Sequence, residues 1–255
     1  QLTNVKYLPS VRNAFSGTRP AAFSITNNGT LSRQELLIEG NISLETDSMS
    51  ELVAAVSSSN EPIKLDRYIS SNVASFLIFR LPATTVPPKS APSATRLDSF
   101  LLNNPDFYKN LANATGSELA LSIYEESGFL SEGEYMFTRH LDDHQEFNQL
   151  MNELAAKDLV SIEDDLYYIQ SSVLSKLLGS SLSNFDDFYL ATDYKAVVMS
   201  KRKGLAESVK SDRSRRRGIY YDDQYMQLKE KYDSSLSFFG MVKSEPFMNF
   251  IDPYL

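Results

Sequence analysis

The sequence predicts an α+β protein, with antiparallel sheets faced by helices and two similar helix-plus-hairpin units. Three observations carry this reading. Runs such as Glu35 to Leu44, Ala74 to Leu81 and Ala196 to Ser200 are apolar and rich in β-favouring residues, as strands are. Other runs repeat apolar residues every three or four positions, such as Phe147, Leu150, Met151 and Leu154, as amphipathic helices do. In the second half, strand signals come in close pairs after a helix, which favours local hairpins over parallel crossover units.

Taken in order, Ala22 to Thr26 reads as a strand, Asn27 to Thr30 as a turn, and Glu35 to Leu44 as a longer strand. Gly40 within it suggests a bulge or a close backbone approach. Asp47 or Ser48 caps a helix running to about Val56, whose Leu52, Val53 and Val56 share one face. Ser57 to Pro62 is a linker, and Ala74 to Leu81 a buried strand.

Pro82 to Pro92 holds four of the ten prolines and resists both helix and ladder. It marks a boundary between an N-terminal part, 1–85, and a C-terminal part, 93–255. The alternative is a long crossover loop inside one continuous domain.

Beyond it, a helix is expected from Thr95 to Ala112, then strands over Glu118 to Tyr124 and Tyr135 to Arg139. Asp142 is placed to cap the next helix, and Asp165 to Gln170 follows as a short strand. Ser172 to Leu178 reads as a helical turn. Phe188 to Thr192 and Ala196 to Ser200 form a hairpin around Asp193, Tyr194 and Lys195. Helices over Gly204 to Lys210 and Asp222 to Lys231 precede a last strand, Ser235 to Val242.

Composition narrows the function. At 255 residues and 42% apolar content, the chain can bury a core without staples. The absence of cysteine excludes disulfides, thiolate nucleophiles and Cys-ligated metals. A net charge of −8 argues against general nucleic-acid affinity. No segment approaches the roughly 18 apolar residues of a membrane-crossing helix. Because the chain starts at Gln1, we expect a processed protein, with a signal or anchor in a flank compatible with that start.

Few motifs suggest chemistry. His140 and His144 are the only histidines, and four residues apart on one helix they would share a face and meet one metal. Leu141 occupies the place where a metalloprotease helix needs its glutamate, and a cap at Asp142 leaves His140 outside the helix. A polar strand-to-helix turn is therefore the reading we favour, with no cofactor expected. Serine elbows and phosphate loops are absent. Carboxylate doublets (Glu125-Glu126, Asp142-Asp143, Asp164-Asp165, Asp186-Asp187, Asp222-Asp223) fall mostly at turns and helix starts, where acids cap and stay solvated. Tyr167-Tyr168 and Tyr220-Tyr221 suit packing better than sugar stacking.

The most unusual local feature is basic. Between Lys195 and Arg217 nine cations face only Glu207 and Asp212, which leaves +7 here and −15 elsewhere. Lys201, Arg202, Lys203, Arg213, Arg215, Arg216 and Arg217 are the candidate binding residues for an anionic partner. The competing reading is a solvated face paired with the chain's own acids.

Several phrases, in order, resemble an uncharacterised family of large exported proteins of Bacteroidetes-type bacteria, a domain of unknown function. They are Leu37-Ile38-Glu39-Gly40-Asn41, then Ala74 to Pro82 with the Pro/Thr-rich run and Leu97-Asp98-Ser99-Phe100. The rest are Tyr194 to Ser200, Gly204-Leu205-Ala206, Tyr225 and Ser237-Phe238-Phe239. The likeness spans about two thirds of the chain and rests on apolar phrasing. It implies an extracytoplasmic location, periplasm or cell surface, within a longer precursor. The family has no catalytic residues to carry over.

The expectation is a non-catalytic binding or scaffolding module of the bacterial envelope, with an envelope protein or a polyanion as partner. The alternative is a hydrolase of an envelope polymer that uses paired carboxylates.

Overall fold

The computed structural model describes residues 18–27, 36–44, 62–81, 83–91, 95–124, 135–179, 185–231 and 238–242. Two compact units divide the chain, Gln1–Ala54 and Ala55–Leu255. In the smaller, β1 (Thr18–Asn27) and β2 (Leu36–Leu44) form an antiparallel ribbon with Thr18 opposite Leu44 and Asn27 opposite Leu36. Register slips between Pro20 and Ala22, where proline has no N–H for the ladder. The helix expected near 47–56 lies outside the described residues.

The larger unit begins with a 3-10 turn, η1 (Leu65–Tyr68), and β3 (Val73–Arg80). Then come α1 (Arg96–Asn103), α2 (Pro105–Ala114), β4 (Thr115–Tyr124) and β5 (Tyr135–Leu141). α3 (His144–Ala156) precedes β6 (Ser161–Glu163) and β7 (Leu166–Gln170), and α4 (Ser172–Gly179) precedes β8 (Asp187–Asp193) and β9 (Ala196–Ser200). Last come α5 (Lys203–Ser214), a second 3-10 turn η2 (Ile219–Tyr221), α6 (Asp223–Lys231) and β10 (Phe238–Val242).

Eight strands form one antiparallel sheet in the order β10-β3-β4-β5-β9-β8-β7-β6. The α+β class is thus as the sequence predicts. The helix-plus-hairpin unit occurs three times, as α1–α2 with β4–β5, α3 with β6–β7, and α4 with β8–β9, all within this sheet. The Pro-rich stretch runs from β3 to α1, and β3 pairs with β4 on the far side of it.

Strand side chains alternate between two cores, so the sheet is covered on both faces. Leu77, Phe79, Leu119, Leu121, Phe137, Val197 and Met199 face α1 to α4. Phe76, Ile78, Ala120, Met136 and Val198 face η1, α5, η2 and α6. Helices of eight to thirteen residues are marginal alone. Burying a Leu or Phe contributes about 1.5–3 kcal/mol, so these two layers hold the helices in place.

Four local details depart from the sequence reading. The helix expected from 95 to 112 is two helices, because Pro105 forbids helical geometry at Asn104, which adopts φ −125° and ψ 72°. Asp143 caps α3 by accepting from Gln145 N and Glu146 N (3.0 and 2.9 Å), which frees Asp142 for His140. The helix expected over 204–210 extends across Lys203–Ser214. β6 and η1 were not expected, being three and four residues long.

Candidate functional site

Polar side chains concentrate in one row across the sheet, on the face covered by η1. Arg80 pairs in register with Glu118, Leu119 beside Glu118 pairs with Arg139 beside His140, His140 pairs with Ala196, and Ala196 with Asp193. Arg80, Glu118, His140 and Asp193 are all buried. Glu118 Oε1 accepts from the backbone N–H groups of Lys64 and Leu65 (2.8 and 2.7 Å), so the acid caps the start of η1. Burial raises the Glu118 pKa, against the pull of those amides and of Arg80.

η1 is fastened at further points. Asp66, also buried, accepts from Tyr225 Oη at 3.1 Å and Lys229 Nζ at 2.5 Å, which ties η1 to α6. Burial, then the charge of Asp66, raises the Tyr225 pKa. The Tyr68 hydroxyl accepts from Lys195 N at 3.3 Å. Arg213 Nη2 donates to Asp193 Oδ1 at 2.6 Å. The row's charges are therefore engaged in holding elements together.

The two histidines are held apart in role. His140, at the end of β5, lies 3.2 Å from Asp142 Oδ1, and burial lowers its pKa, reinforced by Lys64 and opposed by Asp142. A Cβ on Gly116 would fall 2.7 Å from His140 Nδ1 and 2.8 Å from Asp142 Oδ1, so glycine leaves room for this pair. His144 opens α3 and packs its ring 5.7 Å from that of Tyr194. Among the described residues, no three His, Asp or Glu side chains are grouped to hold a metal.

The carboxylate doublets also fall into local roles. Asp164 and Asp165 form the β6–β7 turn with φ of 50° and 66°, and Asp222 Oδ1 accepts from Tyr225 N near the start of α6. Glu125 and Glu126 lie outside the described residues. Asp186 and Asp187 are exposed at the start of β8.

α5 divides the seven candidate cations into two groups, roughly 20 Å apart at 1.5 Å per residue. At its N-terminal end, Lys203 Nζ lies 2.6 Å from Asp164 Oδ2 and 4.0 Å from Glu163. That pairing offsets an unfavourable position, since helix N-termini repel cations; it lowers the Asp164 pKa and raises that of Lys203. Lys201 Nζ lies 5.8 Å from the Phe185 ring centre, and Arg202 is exposed at the N-cap.

At the C-terminal end, Arg213 is paired with Asp193, as above, and lies over Tyr68. Arg215, Arg216 and Arg217 are exposed and pair with no carboxylate among the described residues. Cations there complement the helix dipole. The backbone carrying them is pinned. Arg217 N bonds to Asp212 O, Ser71 N to Arg217 O and Ile219 N to Ile69 O, each at 2.7 Å. Arg216 adopts φ 54°, the left-handed residue that ends the helix.

This pinning brings in a residue that sequence reasoning missed. Arg67 of η1 is exposed, and its guanidinium lies 4.6 Å from the centre of the Tyr220 ring. Lys229 lies 5.4 Å from the same ring. The result is a ridge of Arg215, Arg216 and Arg217 beside Arg67 and the exposed Tyr221. Arg67 lies about 150 positions from the arginine run, and the Ser70–Gly218 bridge helps to bring the two segments together.

No family model, curated protein or solved structure gives a significant match to this chain. The functional reading therefore rests on the side chains. Among the described residues, no helix is long and apolar enough to cross a membrane.

Proposed function

We propose that the chain is a non-catalytic binding or scaffolding module of the bacterial cell envelope that engages a polyanionic partner through the arginine ridge. The supporting observation is the state of Arg215, Arg216 and Arg217: exposed, without carboxylate partners among the described residues, and carried on a pinned backbone. A fixed array of unneutralised cations on a chain of net charge −8 gives a local attractive field for anions. The buried acids support the same reading, because they cap η1 and tether α6. The envelope address rests on the resemblance of the sequence phrases to exported proteins.

Retention on immobilised heparin tests the ridge. The wild-type chain is expected to bind at low salt and elute as salt rises. The triple variant Arg215→Gln, Arg216→Asn, Arg217→Gln is expected to pass through with its circular dichroism unchanged, asparagine being suited to the left-handed position. Retention by a folded triple variant would refute the assignment. Fractionation of the native host, with antibody detection, tests the address separately.

A further inference from the structure

We propose that the outer edge of β6 accepts an extended peptide of alternating apolar and cationic residues, which joins the sheet as an added strand. The sheet order ends on β6, and Ser161, Ile162 and Glu163 are all exposed. Among the described residues, no strand pairs on its outer side.

The hairpin fixes which backbone groups face that edge. The loop between β6 and β7 is Asp164 and Asp165 alone, both with positive φ, the two-residue turn whose twist matches the strands. Glu163 and Leu166 close the loop, and in such hairpins this flanking pair exchanges hydrogen bonds. Pairs alternate, so Ile162 opposite Tyr167 is a non-bonded pair. Its N–H and C=O are therefore presented to the outer edge, where an incoming strand takes them.

Two further features say what that strand is like. A cavity of 510 Å³ opens beside β6, and its apolar lining comprises Ala155, Leu159, Val160 and Ile162. Ile162 is 58% exposed, a large apolar side chain left in solvent. Strand-adding peptides gain affinity from main-chain bonds and selectivity from pockets for alternate side chains. This cavity supplies such a pocket.

Charge selects the remaining positions. Asp158 lines the cavity, and Glu163, Asp164 and Asp165 follow along the hairpin, with Lys203 paired to Glu163 and Asp164. The rim stays acidic, which favours Lys or Arg at the outward positions of the peptide. It also opposes edge-to-edge pairing with a second copy, which would bring two acidic rims together. The site lies at the opposite end of α5 from the arginine ridge and does not depend on it.

The test is fluorescence anisotropy with a labelled peptide alternating valine and lysine. Two perturbations remove the strand bonds without altering charge. One is the same peptide N-methylated at alternate backbone nitrogens. The other is Ile162→Pro, which deletes the outward N–H and part of the pocket wall, and proline is tolerated on a strand edge. Saturable binding that each change weakens by about tenfold supports the proposal, provided that Ile162→Pro keeps its circular dichroism and its heparin retention. Binding that survives both changes is charge attraction alone and overturns it. So does absence of binding up to about 1 mM peptide, or a wild-type dimer that Ile162→Pro dissociates.

Discussion

Asp98 carries the sharpest stability prediction. Its carboxylate is fully buried and accepts from Ser171 Oγ (2.5 Å), Ser172 Oγ (3.1 Å) and Val173 N (3.0 Å) at the start of α4. Ser171 Oγ in turn accepts from Leu174 N at 2.9 Å. One acid on α1 thus organises the first turn of α4, four strands further along the chain. Hydrogen bonds to a charged group contribute about 1.5–3 kcal/mol each. In Asp98→Ala the two hydroxyls rotate to other acceptors, while Val173 N stays buried and unpaired. The net loss is then about 3–5 kcal/mol, or about 6–20 °C in the melting temperature of a unit this size.

Asp98→Asn keeps one carbonyl oxygen for Ser171 and Val173, and Ser172 reverses to accept from the new amide. It loses only the charge at the helix N-terminus and is expected to cost about 1–2 kcal/mol. Urea unfolding followed by far-UV circular dichroism measures both. If Asp98→Ala costs under about 1 kcal/mol, or if the two variants are equal, the carboxylate does not organise α4 and the reasoning fails.

Three further outcomes follow from the buried polar groups. Gly116→Ala pushes a methyl into His140 and Asp142, so it is expected to destabilise by about 1–3 kcal/mol; a neutral result would mean that the pair moves aside freely. His140 has a folded pKa below its ordinary 6.5, so its contribution is present above pH 6.5 and lost as pH falls through the folded value. The urea midpoint is therefore expected to drop in that window, and His140→Gln to flatten the drop. Glu118 has the opposite sign: its folded pKa lies above 4.5, so its contribution is full below pH 4.5 and lost as pH rises through the folded value. Glu118→Gln is expected to remove that slope in the same titration.

Periodicity made most of the sheet legible. Ala74 to Leu81, Glu118 to Tyr124 and Ala196 to Ser200 announce β3, β4 and β9 because alternation and β-branching mark strands buried on both faces. β6 left no such mark, since its three residues face solvent and its pattern is too short to count. The third helix-plus-hairpin unit was hidden with it. The break at Pro105 is masked by apolar spacing that continues across it, from Phe100 and Leu101 to Phe107 and Leu111. The basic run stood out as a run. Its division follows from the local helix α5, whereas the addition of Arg67 is a consequence of long-range pairing that no local pattern encodes.

The buried row and the exposed ridge are linked through η1, and that link is testable. Glu118 fixes Lys64 N and Leu65 N at the head of η1, while the residues after η1 hold the ridge through Ser71 N to Arg217 O and Ile219 N to Ile69 O. Removing the acceptor with Glu118→Ala leaves two amides unpaired at one end of this short connector, at about 1–3 kcal/mol each. The tether at the other end is expected to loosen before the sheet does. Hydrogen exchange at Ser71 and Ile219 should then accelerate while Phe137, in the middle of the sheet, stays protected. Heparin elution should shift to lower salt, because mobile arginines lose their common geometry. Glu118→Gln retains the Oε1 acceptor and is expected to preserve both protection and elution, which separates the hydrogen bonds from the charge. If Glu118→Ala leaves Ser71 and Ile219 protected, the ridge is held by its own backbone pairing, and the buried row serves the core alone.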